Sequence, residues 1–234
     1  MPLKQRLFCF IVASLMISSI SAQKPALTSY QSFIPEHWKV LKTTQGDLNA
    51  DGLPDLAVII EDTDPKKIVL NENLGSDKLN LNPRKLMVLL QSQQGYQLAA
   101  SNQSLPTEGD ADAPCLADPL GEGETLAIQK GLLKISLHYW LSCGSWYVTN
   151  QTYTFKYQNH AFKLIGLDSN DFHRASGDIS ARSINFLTGK IKRTSGENEF
   201  SETAQPVKVE WSKLKNKYSL SLEQIQFNEH DEFE

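Results

Sequence analysis

The sequence predicts a mainly β fold, an antiparallel sheet or sandwich with one short N-terminal helix. Three observations carry this. Leu56–Ile60 and Leu86–Leu90 are unbroken apolar runs of strand length, rich in branched residues, as in strands buried on both faces. Tyr153, Phe155 and Tyr157 alternate with Thr152, Thr154 and Lys156, the period-two pattern of a half-buried strand. Beyond residue 41 no stretch keeps the 3.6-residue period of a long amphipathic helix. An α+β arrangement is the alternative.

Met1 to Arg6 carries Lys4 and Arg6 and no acid; Leu7 to Ile20 is nearly all apolar, and Ser21-Ala22 follows. A basic start, a short apolar stretch and small residues at the end describe a secretory signal peptide over residues 1–22. The apolar run falls short of the roughly 20 residues a membrane span needs, although an uncleaved anchor is the rival reading. Cleavage after Ala22 lowers the formal charge from −4 to −6, because Lys4 and Arg6 leave and no acid does. An acidic exported chain without a later membrane-length segment is expected to be secreted or periplasmic, not bound to nucleic acid and not membrane-spanning.

Residues 23–33 read as a flexible arm and 34–227 as a single β-rich domain. Pro35 to Leu41 reads as the short helix, with proline suited to its first turn. After Leu56–Ile60 comes a polar stretch holding one apolar island, Ile68-Val69-Leu70. Leu86–Leu90, a turn at Gln93-Gln94-Gly95 and Tyr96 to Ala100 then make a strand pair. Ser101 to Gly123, with Pro106, Pro114 and Pro119 and the acids Glu108, Asp110, Asp112 and Asp118 among its residues, reads as a long loop. Leu126 to Gln129 and Leu132 to Trp140 resume the strands. Ser145 to Tyr157, a turn at Gln158-Asn159-His160, and Phe162 with Leu164 form a β-hairpin. Ser183 to Leu187, Pro206 to Trp211, and Tyr218 to Leu222 suggest the last strands, and 228–234 an acidic disordered tail.

Once Cys9 leaves with the signal, Cys115 and Cys143 remain, and two cysteines in an oxidising compartment are expected to pair. The rival is a reactive thiol, because Cys143-Gly144-Ser145-Trp146 faintly resembles the surroundings of a papain-type nucleophile. That pattern needs a second cysteine where Trp146 stands.

The densest chemical signal is Gly46 to Ile60. Counting from Asp47, side-chain oxygens fall at positions 1 (Asp47), 3 (Asn49), 5 (Asp51) and 9 (Asp55), with Gly52 at position 6 for the sharp reversal. The Leu53 carbonyl at position 7 completes an oxygen set suited to Ca²⁺, which takes six to eight such ligands. Position 12, a bidentate Glu in an EF-hand, is Val58, so an EF-hand is excluded. The bland alternative is an Asx-rich turn whose acids are solvated. A bound ion is expected to be structural.

The pattern D-x-N-x-D-G-x-x-D followed by an apolar strand resembles the calcium loops of FG-GAP and VCBS-type repeats. The resemblance implies the same five ligands, Asp47, Asn49, Asp51, Leu53 and Asp55. A propeller repeats this loop in every blade, and one copy is present here, so at most a degenerate propeller-like fragment would follow. The wider arrangement, with Tyr153 to Tyr157 and Asn185 to Lys190, is similar to uncharacterised secreted bacterial proteins.

No His-x-His or His-Glu-x-x-His spacing supports a zinc centre, and no catalytic residue set stands out. Tyr139, Trp140, Trp146, Tyr147, Tyr153 and Tyr157 are either core or a sugar-stacking platform. Asn102-Gln-Ser104 and Asn150-Gln-Thr152 match glycosylation sequons. The expectation is a calcium-stabilised, non-catalytic module for a protein or cell-envelope partner. A periplasmic hydrolase or carbohydrate-binding protein is the alternative.

Overall fold

The computed structural model describes residues 29–121, 123–203, 206–227 and 233. The signal segment lies outside them. Its strands are β1 (Trp38–Gly46), β2 (Asp55–Asp62), β3 (Ile68–Leu70), β4 (Lys78–Asn80), β5 (Arg84–Ser92), β6 (Gly95–Leu105) and β7 (Leu126–Gln129). They continue with β8 (Leu132–Trp140), β9 (Tyr147–Gln158), β10 (Ala161–His173), β11 (Asp178–Asn185), β12 (Lys190–Asn198) and β13 (Lys208–Lys213). The fold is mainly β and antiparallel. One four-stranded sheet has the order β1-β2-β5-β6, and a seven-stranded sheet runs β13-β12-β11-β10-β9-β8-β7. The small pair β3-β4 stands apart.

The two apolar runs fill the centre of the four-stranded sheet because both faces there are covered. Ala57, Ile59, Leu86 and Val88 face a core shared with Ile135, Tyr153, Phe155, Phe162 and Leu167 of the long sheet. Val58, Ile60 and Met87 face the other way, under Phe33, Ile34 and Trp38. Gly46 ends β1 where it meets β7; a methyl group there would lie 2.5 Å from Ile128 Cγ2. The C-terminal segment closes the core with Leu222, Ile225 and Phe227, whose ring meets Tyr153 edge-on at 4.9 Å.

The β9–β10 hairpin forms as expected, with Tyr157 opposite Phe162. Its turn residues Asn159 and His160 both have positive φ, 52° and 59°, the geometry that matches the twist of paired strands. Cys115 and Cys143 are bonded, with Cα atoms 5.5 Å apart. Such a bond is what an oxidising compartment sustains. Among the described residues no helix is long and apolar enough to cross a membrane.

Several expectations are corrected. Pro35–Leu41 is not a helix: His37 has a φ of 65°, which a right-handed helix cannot contain, and Trp38 onward pairs with β2. The helical turn lies earlier, a 3-10 turn at Tyr30–Phe33, and Phe33 packs against the core; residues 23–28 of the expected flexible arm lie outside the described residues. The long loop after residue 100 starts later, since β6 runs to Leu105. Tyr218 to Leu222 is not a strand; it meets β10 by one isolated bridge, Lys163 to Ser221, before a 3-10 turn at Leu222–Gln224. The strand expected over Ser183 to Leu187 is β11, which starts earlier, at Asp178, and ends at Asn185, before a turn at 186–189 leads into β12. Of the acidic tail, Phe233 is described, and its ring packs on Phe186 and Tyr218 at 5.0 Å.

Asn102 cannot serve as an open sequon. It is 5% exposed, and its side-chain amide donates to the Leu222 and Ile225 carbonyls at 2.7 and 2.8 Å, fastening the C-terminal segment to β6.

Candidate functional site

The loop between β1 and β2 is shaped by its own acids. Asp47 accepts the Ala50 N–H on Oδ1 at 2.7 Å and the Gly52 N–H on Oδ2 at 2.9 Å. Asn49 accepts from the Asp51 N–H and donates to Asp51 Oδ2, while Asp51 Oδ1 accepts the Leu53 N–H at 2.8 Å. Gly52 sits at a φ of 82°, with open space around it, so the turn selects glycine for conformation alone. Asp55 is fully buried. Its carboxylate accepts the Leu48 N–H at 2.7 Å and the Gln91 N–H at 2.9 Å, so it clamps the loop to the end of β5.

Among the described residues no group of three or more His, Cys, Asp or Glu is gathered as a metal cluster. Fit to a cation therefore turns on the donors. Each carboxylate oxygen has a second lone pair beyond the N–H it accepts. Burial pushes the Asp55 carboxyl above its ordinary pKa; the Gln91 and Leu48 N–H groups oppose this, and the charges of Asp51 and Asp47 add to it. Asp47, Asn49, Asp51 and Asp55 supply the oxygen donor types that Ca²⁺ takes, and their oxygens already accept N–H groups of the loop and of β5.

A second polar constellation was not visible in the sequence. Lys39, Glu61 and Arg84 stand opposite one another on β1, β2 and β5. Arg84 and Glu61 are each 1% exposed, with Arg84 Nε 2.7 Å from Glu61 Oε2. The Arg84 Nη atoms grip Asp118 at 2.6 and 2.8 Å, tying the segment that carries Cys115 to the four-stranded sheet. Lys39 reaches Glu61 Oε1 at 2.8 Å. Bidentate geometry and further acceptors are what make a buried ion pair tolerable.

The aromatic residues divide. Tyr153 is core, and Tyr139 and Tyr157 pack against it. Trp146 and Tyr147 are exposed. The Arg174 guanidinium lies 5.3 Å from the Trp140 ring and 5.8 Å from that of Trp146, and donates to the Leu141 and Ser145 carbonyls. Tyr147 meets His173 edge-on. His138 is engaged with Asn150 across β8 and β9, at 2.7 Å.

A cleft of about 520 Å³ lies on the long sheet. It arises because the core-side face changes character along its strands. Tyr153, Leu167, Ile184 and Ile191 are in register across β9 to β12 and are buried. Two residues further along each strand the row becomes Gln151, Ser169, Arg182, Arg193 and, on β13, Glu210, all lining the cleft. Arg182 and Arg193 are direct cross-strand partners, and Arg193 faces Glu210 across β12 and β13, so an acid stands beside the two like charges. The acids here have neighbours of their own. Asp171 Oδ1 accepts the Thr149 hydroxyl at 2.6 Å, and Glu210 pairs with Lys208 at 2.6 Å. Arg193 donates to the Ser212 hydroxyl. The site offers two guanidiniums and several hydroxyl and amide groups at a volume suited to a small ligand.

Compared with family models, curated proteins and solved structures, the chain finds no match.

Proposed function

We propose that the chain is an exported, calcium-stabilised β-domain that binds its ligand without transforming it, serving as an envelope or surface interaction module. The observation that carries this reading is the registered row Gln151–Ser169–Arg182–Arg193–Glu210 in an open cleft. Its ligand is a polyhydroxylated molecule bearing a carboxylate, an acidic saccharide. The carboxylate sits between the opposed guanidiniums, whose fork matches it bidentately. Its hydroxyls meet Thr149, Gln151, Ser169 and Ser195. The net negative charge of the chain disfavours such a ligand at long range, so recognition is short-range and steeply dependent on those two arginines. Binding is favoured over glycoside hydrolysis by the spacing of the acids. Asp171 and Glu210 lie three strand intervals apart on β10 and β13, and each is already engaged, Asp171 by the Thr149 hydroxyl and Glu210 by Lys208, so they are not held as a facing acid–base pair.

Calorimetric titration with oligogalacturonate, beside a neutral oligosaccharide of equal length, tests this. Binding of the acidic sugar alone, weakened by about 1.5–3 kcal/mol in Arg193→Ala, is the expected outcome. Equal heats for both sugars, or none, would refute it.

In the calcium half of the proposal, Asp47, Asn49, Asp51, the Leu53 carbonyl and Asp55 hold the ion and fix the entry into β2. Without a cation, the raised pKa of Asp55 means that its contribution to stability is greatest below its ordinary value. That contribution falls as pH rises through the raised folded value. Calcium opposes this loss. At tenfold excess over its dissociation constant it should add about 1.4 kcal/mol at neutral pH, and the gain should vanish in acid. Urea melts with calcium and with EGTA measure it, with Asp51→Asn as the variant that keeps an acceptor for Leu53 N–H but loses a charge. Coincident curves would sink the calcium reading.

A further inference from the structure

We infer that two copies of this chain associate through the outer edge of β13, related by a two-fold axis at Val209. All six residues of β13 are exposed, and among the described residues it pairs with β12 alone. The Leu214 N–H donates to the Gly189 carbonyl at 2.8 Å, and Lys190 is paired with Lys213. In an antiparallel ladder this phase turns the backbone groups of residues 208, 210 and 212 toward β12 and those of 207, 209, 211 and 213 outward. The Pro206 carbonyl lies beside Gly196 of β12, in agreement with that alternation. The proline, which often blocks an edge, therefore stands at an inward-facing position and leaves the outward donors intact.

An axis at Val209 sets Val209 against itself and Val207 against Trp211 of the second copy, all outward-facing, so their backbones bond directly. On one face it joins Val207, Val209 and Trp211, which are 43%, 47% and 65% exposed in the single chain. On the other it places each Lys208 opposite Glu210 of the second copy. Within one chain these two already pair at 2.6 Å, so the dimer closes a square of alternating charge. The neighbouring registers do not. An axis at Lys208 opposes two lysines, and an axis at Glu210 opposes two glutamates, each unfavourable directly across a ladder. Glu210 also lines the cleft, so the second copy brings its Lys208 to the cleft mouth. A single paired edge buries less than the roughly 1,200 Å² of a standard stable interface, and the dimer is accordingly reversible.

Sedimentation velocity over a concentration series tests this. The wild-type chain should pass from monomer to dimer as concentration rises. K208E and E210K, each required to keep the native circular-dichroism spectrum, should stay monomeric, because each sets like charges against like across the axis. An equimolar mixture of K208E and E210K should dimerise again, since every acid then meets a lysine, and V209P should not, having lost the central outward N–H. A wild-type chain monomeric at its highest soluble concentration would overturn the inference, as would dimers that persist in both single variants or a mixture that fails to associate.

Discussion

Arg84→Met should lower the unfolding free energy by about 3–5 kcal/mol, read from urea denaturation at neutral pH. The guanidinium is buried and bonded to both Glu61 and Asp118. Its loss leaves the Glu61 carboxylate in a buried site with Lys39 and the Asn80 amide, both on Oε1, which places the expected value toward the lower end of that range. Replacing Glu61 with Leu as well should recover part of the loss, because a matched apolar pair has no charge to desolvate. The same cluster sets the acid limb. Burial raises the Glu61 carboxyl, but the Lys39 and Arg84 hydrogen bonds and charges outweigh it and hold the pKa below its ordinary value. A depressed carboxylate stabilises the fold fully above the ordinary glutamate value of about 4.3, and that stability drains as pH falls through the folded value. Arg84→Met should flatten this limb. An unchanged acid midpoint would show that Glu61 does not govern it.

Removing the disulfide by Cys115→Ala with Cys143→Ala should cost about 3–4 kcal/mol by loss of loop-closure entropy in the unfolded chain. The local backbone should survive in the folded state. The Ser142 N–H donates to the Cys115 carbonyl and the Ala117 N–H to the Trp140 carbonyl, both at 2.9 Å, and Leu116 bridges to Leu141. The Asp118 grip of Arg84 restrains the same segment three residues on. The two constraints therefore overlap, and the triple variant should depart from additivity by more than the roughly 0.5 kcal/mol seen for independent sites. Strict additivity would contradict a shared segment.

What the sequence made legible was local. The runs Leu56–Ile60 and Leu86–Leu90 needed no partner to announce burial, and the alternation through Tyr157 with Asn159-His160 marked a hairpin by turn chemistry. The paired cysteines were legible by elimination. Pro35 to Leu41 misled because a proline start suits a helix, whereas pairing with β2 and the left-handed His37 decide for a strand. Arg84 and Glu61 looked like polar ends of apolar runs; only cross-strand register shows that they meet. The cleft was hidden for the same reason. Gln151, Ser169, Arg182, Arg193 and Glu210 come from five strands spread over sixty residues, and no short motif links them. The loop from Asp47 to Asp55 was legible as a motif, but its N–H bonds, and the burial of Asp55 against Gln91, required the fold.

The binding reading rests on the arginine pair in that row, and chemical-shift mapping tests it most directly. On titrating the isotope-labelled chain with oligogalacturonate, the amides of Gln151, Ser169, Arg182 and Arg193 should shift together and saturate with one affinity. Those of the segment around Cys115 should stay in place. Shifts that leave this row unmoved, or that follow a neutral sugar equally well, would contradict the assignment of the cleft.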